Sequence, residues 1–144
     1  MSVSRTEYKF LISADDYRMW KEEISEIVEA DTAGNAGDYP IVSQYYDTAE
    51  RDCYWEKQRR WRSRRKIRVR VYGSEEAEIP PVGFLEVKHK LDGLGVKRRL
   101  QMPVESAQAF AGGDDDVLRK MYGEVGRAGR IVIDEVLGMR ANGH

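Results

Sequence analysis

Cationic and apolar residues alternate strictly through the middle of this chain. In RRKIRVRVYG, Arg64 to Gly73, the residues Lys66, Arg68 and Arg70 alternate with Ile67, Val69 and Val71. Successive side chains of a strand point to opposite faces, so this run predicts a β-strand with one oily and one cationic face. FLEVKHKL, Phe84 to Leu91, repeats the arrangement, with Glu86, Lys88 and Lys90 alternating with Leu85, Val87 and His89. The turn-like DGLG, Asp92 to Gly95, leads into VKRRL, where Lys97 and Arg99 alternate with Val96, Arg98 and Leu100. Near the N-terminus, RTEYKFLI sets Arg5, Glu7 and Lys9 opposite Thr6, Tyr8 and Phe10. Four strands thus offer charged stripes, and their faces are expected to converge on a common groove or tunnel. Three cations in a row on one strand face repel each other unless an anion sits opposite, so a polyanion is the expected ligand.

The other segments complete the outline. Ser13 is placed as the N-cap of a helix whose first turn carries Asp15 and Asp16, and Tyr17, Trp20, Ile24, Ile27 and Val28 fall on one helical face. Asp31 to Pro40 is a loop by its Gly, Asn and Pro content. IVSQYYDT, Ile41 to Thr48, reads as a strand, and YWEKQRRW carries the chain toward the basic one. GSEEAEIPPVG, Gly73 to Gly83, reads as an acidic exposed hairpin loop whose Pro80 and Pro81 discourage a regular ladder. After an expected break at Gly112 and Gly113, the residues Asp114, Asp115 and Asp116 resemble a helix start, where carboxylates offset orphan amides. Three adjacent carboxylates at such a place do not converge on one ion. Arg130 to Asp134 suits strand or helix, and helix through Met139 is the preferred reading. The predicted fold class is α+β, an antiparallel sheet with flanking helices. It forms one domain over 1–144, strand-rich over 1–103 and mainly helical over 104–144.

Charge is segregated. The net charge is −1, yet residues 51–99 hold 15 Lys and Arg against 7 Asp and Glu. A basic centre between acidic flanks makes a local positive field suited to phosphate-rich ligands. For Arg59 to Lys66 a solvated charged face and an anion site both remain open. The lone Cys53 cannot form an internal disulfide and is read as packing. No apolar stretch approaches a membrane span and no signal-peptide core is present, so a cytoplasmic chain is expected.

Taken in order, RTEYKF, SQYYDT, YWEKQRRW, RRKIRVRVYG, FLEVKHK and KRR resemble the VTC domain. This is the polyphosphate polymerase domain of the vacuolar transporter chaperone complex and its bacterial relatives, in the triphosphate tunnel, or CYTH-like, superfamily. The resemblance implies half of a β-tunnel barrel that binds ATP, triphosphate or polyphosphate with a divalent metal, Mn or Mg. It also implies transfer of the terminal phosphoryl group of ATP to polyphosphate. By the same resemblance Lys9, Arg68, Arg70 and Lys88 are the catalytic cations and Lys97 and Arg99 bind substrate, and Arg5, Lys66 and Lys90 on the same charged stripes are expected to bind it with them. Glu7 and Glu86 are the metal ligands, or else pair with the cations beside them. Phosphoryl transfer needs charge neutralisation and alignment more than covalent chemistry, which Arg forks and Lys point charges supply.

The resemblance runs from about Arg5 to Leu100. The closing C-terminal strands of the family, with their metal carboxylate, have no counterpart seen after Leu100. A fragment, or a short relative that closes its sheet as a homo-oligomer through unpaired edges, is expected. Two further functions fit the cations: a non-catalytic module for polyphosphate, nucleotide or inositol phosphate, and a single-stranded nucleic-acid binder using Trp55, Trp61 and Tyr72. The second is disfavoured, because those aromatics do not clearly share a face with Arg68 and Arg70.

Overall fold

The alternating segments pair into one antiparallel sheet. In a computed structural model, which describes residues 8–30, 40–72 and 82–144, the strands are β1 (Ile41–Tyr45), β2 (Ser63–Tyr72), β3 (Val82–Leu91) and β4 (Leu94–Pro103). They lie in the order β1-β2-β3-β4, and among the described residues the sheet is open, not a closed tunnel. Asp92 and Gly93 form the two-residue turn between β3 and β4, with φ of 48° and 87°. Positive φ at both central residues defines the turn whose twist suits a hairpin, and Asp-Gly is a favoured sequence for it.

Three helices cover the oily face: α3 (Val104–Ala111), α4 (Asp116–Met121) and α5 (Arg127–Ala141). The core joins Ile67, Val69, Leu85, Val87, Leu100 and Met102 from the sheet to Ala107, Phe110, Leu118, Val132, Ile133, Val136 and Met139 from these helices. The approach is close. A Cβ on Gly83 would collide with the Cβ of Ala107, so only glycine fits where α3 crosses β3. Arg98, the one cation on the oily face of β4, is held by Glu135 of α5 through a two-pronged pair of 2.7 Å bonds. Arg65 adds a 3.4 Å contact to the same carboxylate. Arg130 to Asp134 is helical, as preferred, and the break at Gly112 and Gly113 separates α3 from α4.

The structure departs from the sequence reading at two places here. The strand expected over 41–48 stops at Tyr45 because Asp47 turns away to cap a short helix, α2 (Asp52–Gln58), accepting bonds from the backbone N–H groups of Thr48, Cys53 and Tyr54 at 2.8, 2.8 and 3.2 Å. That helix occupies most of YWEKQRRW, which had been assigned no element. The expected N-terminal strand fails over its described part: Tyr8 to Ile12 form no strand, and Tyr8, Phe10, Leu11 and Ile12 are exposed. Alternation predicts a two-faced segment but cannot supply the partner that makes it a strand. Arg5, Glu7 and nearly all of the acidic loop, 73–81, lie outside the described residues.

The chain divides into two units, 1–38 and 39–144, and the sheet belongs to the second. In the first, the one helix among the described residues is α1 (Ala14–Ile24), capped by Ser13 as predicted, with the Ser13 hydroxyl accepting from the Asp16 amide at 3.1 Å. Its apolar face contributes no buried residue.

Candidate functional site

Parity delivers the predicted cations of β2, β3 and β4 to one face of the sheet, opposite α3, α4 and α5. Register then arranges them in rows. Arg68 on β2 faces Glu86 on β3, and Glu86 faces Arg99 on β4. One step along, Lys66, Lys88 and Lys97 stand side by side on the same three strands. Beyond them Arg64 faces Lys90, and on the other side Ser43, Arg70, Phe84 and Gln101 make the next row.

The Arg68–Glu86–Arg99 row is an ion-paired spine. Glu86 Oε2 accepts from Arg68 Nε at 2.6 Å and from its Nη2, while Oε1 accepts from Arg99 Nε at 2.8 Å and Nη2 at 2.6 Å. Lys97 Nζ lies 3.8 Å from the same Oε1. Arg68 also donates to the Tyr45 hydroxyl at 3.0 Å. Arg70 donates to Ser43 Oγ at 2.9 Å and the Tyr72 hydroxyl at 3.1 Å, and the Arg99 guanidinium sits 4.3 Å above the Phe84 ring. Hydroxyls and aromatic rings thus hold each guanidinium from a second side.

These contacts set the charge states. Burial alone raises the Glu86 carboxyl pKa, but the hydrogen bonds and charge of Arg99 and Arg68 outweigh it and hold the group below its ordinary value. For Arg68 burial acts to lower the pKa, and the bonds to Tyr45 and Glu86 overcome it, so the guanidinium stays firmly cationic. The bond from Arg68 also lowers the pKa of the Tyr45 hydroxyl.

The lysine row is different in kind. Among the described residues neither Lys66 nor Lys88 has an ion-pair partner, and Lys88 is exposed. Like charges directly across adjacent strands destabilise a sheet. Fixed positive charge is therefore concentrated on this part of the face.

Of the predicted site residues, Lys66, Arg68, Arg70, Lys88, Lys90, Lys97, Arg99 and Glu86 share this face. Lys9 lies in irregular, exposed chain of the first unit. Ser43, Tyr45 and Phe84, which support the arginines, were missed, although strand parity with Arg68 and Arg70 could have found them. Tyr72 does share the cationic face, through its bond from Arg70, whereas Trp55 lies on α2 and Trp61 precedes β2. Cys53 is buried, donates to the Arg65 carbonyl at 3.2 Å, and has its thiol pKa pushed up to about 12, first by burial and then by Asp47.

A divalent cation does not fit the described part of this face. Glu86 already receives four N–H donors and a lysine, and among the described residues no three His, Cys, Asp or Glu side chains gather as a metal site. No helix among them is long and apolar enough to cross a membrane.

A family model described as the VTC domain matches residues 4–140. The match continues past Leu100 through most of the helical third, so the resemblance drawn from the strand motifs stopped too early. Helices that pack an oily face carry little motif of their own. Comparison with curated proteins and with solved structures found no match.

Proposed function

The chain belongs to the VTC domain family, and from that membership we propose that its cationic sheet face binds the phosphate chain of polyphosphate, triphosphate or ATP. Membership ties the chain to polyphosphate in general, and the lysine row carries the finer reading. Lys66, Lys88 and Lys97 stand in register on three adjacent strands, beside Arg70 and Lys90. A linear polyanion laid across the strands meets one ammonium per strand and relieves the repulsion among them. The ion-paired row of Arg68, Glu86 and Arg99 crosses the same three strands next to it.

On this reading the activity is the one the family resemblance implies, transfer of the terminal phosphoryl group of ATP to polyphosphate. The face supplies what such a transfer asks of a protein, fixed positive charge and alignment of phosphates. The tunnel belongs to the same proposal, and a divalent metal enters it only outside the described part of this face. Incubation of the chain with ATP and manganese tests it: growth of polyphosphate supports the phosphotransferase. Saturable tripolyphosphate binding with no polymer reduces the function to a binding module, and absence of binding removes both.

A further inference from the structure

We infer that Glu86 is a positioning residue for the phosphate-binding cations and not a ligand of a divalent metal. The inference deepens the phosphate-binding reading and rests on it. An ionised carboxylate offers about four lone-pair directions, and two arginine forks use them here, two N–H donors to each oxygen. A metal at Glu86 would have to displace a guanidinium and then sit beside it, like charge against like. Burial argues the same way. Glu86 is 0% exposed, so its charge is tolerable only while both arginines remain in place.

The forks do more than neutralise. Nε–H and Nη2–H of each guanidinium converge on one Glu86 oxygen, which fixes the in-plane direction of the guanidinium as well as its distance. Arg68 is held from its other side by Tyr45, and Arg99 by Phe84, so each has two constraints and Glu86 is the one they share. Its third contact, to Lys97 at 3.8 Å, reaches into the lysine row. Three cations on two flanking strands therefore take their placement from one carboxylate on the strand between them. Without it, Arg68 and Arg99 retain their charge but lose the common anchor that aims them.

Glu86→Gln tests this, with Glu86→Asp in its place if the amide does not fold, since the aspartate keeps the charge and withdraws it by one methylene. Manganese chloride titrated alone should give the same isotherm, binding or none, for the parent and the variant; selective loss in the variant overturns the inference. In ligand-free protein the Nε–H resonances of Arg68 and Arg99 should be shielded from solvent exchange in the parent, and at least one should lose that shielding in the variant. Unchanged exchange of both also overturns it. Tripolyphosphate affinity should fall roughly tenfold in the variant. Combined with Arg99→Ala, the total loss should be clearly smaller than the product of the two single losses, because one substitution acts through the other. A full product indicates a separate structural or metal role. Failure of the parent itself to bind tripolyphosphate would sink the phosphate-binding reading, while the manganese and exchange measurements still decide what Glu86 holds.

Discussion

Arg68 and Glu86 face each other across β2 and β3 and are the most deeply buried charges among the described residues, 4% and 0% exposed. A carboxylate so placed is sustained only by its partners: desolvation opposes ionisation, and Arg68 and Arg99 reverse the balance. Removing one partner from such a pair leaves an uncompensated buried charge, which costs about 3–5 kcal/mol. The floor of the cationic face is thus part of the structural core of the sheet.

A pH dependence follows from the depressed Glu86 pKa. A carboxyl whose folded pKa lies below its unfolded one adds stability that is complete above the unfolded value and is lost as pH falls through the folded value. The ordinary glutamate value is 4.5, so the contribution should be whole at pH 7 and fade only below that value. Urea unfolding of the parent and Glu86→Gln should show a gap at pH 7 that narrows toward pH 3. A gap of constant width across that range contradicts the assignment.

Val69→Asp should destabilise the fold by about 3 kcal/mol or more, since it sets an unpaired carboxylate at a buried core position. Val69 is 4% exposed and lies opposite Leu85. A thermal melt coinciding with that of the parent would show the two faces of β2 to be assigned the wrong way round.

Cys53 should be chemically silent in the folded protein. Its thiol is buried, bonded to the Arg65 carbonyl, and raised to about 12, so almost no thiolate exists at pH 8. Ellman's reagent should label it slowly under native conditions and completely in urea. Rapid stoichiometric labelling of the native chain would contradict the packing of α2.

Strand parity made the two faces of β2, β3 and β4 legible in the sequence, and Asp92-Gly93 fixed the register of one hairpin. The rows across strands were not legible. Which residue of β3 stands beside Lys66 depends on the β2–β3 register, and the sequence between these strands carries no comparable two-residue turn signal. For that reason Glu86 could be read as a metal ligand or an ion-pair partner, and only the pairing with Arg68 and Arg99 shows how both oxygens are used. Helix α2 was missed because it is short and its cap, Asp47, sits five residues before its first turn, at the end of an apparent strand. Arg98 shows the same limit: an apolar-face position tolerates a cation when a distant Glu135 reaches it.

The central claim is that Lys66 and Lys88 are held ready for a phosphate chain, and calorimetric titration with tripolyphosphate tests it most directly. Lys66→Gln combined with Lys88→Gln should weaken binding at least about tenfold, since each desolvated charge-assisted contact is worth about 1.5–3 kcal/mol. Its thermal stability should be equal to or above that of the parent, because a repulsive pair has been removed. Arg59→Gln with Arg60→Gln, exposed positions outside the sheet, should change affinity little. Loss of binding in the lysine variant with stability retained and the arginine variant unaffected is the predicted result; equal losses from the two pairs, or none from the lysines, would contradict the account.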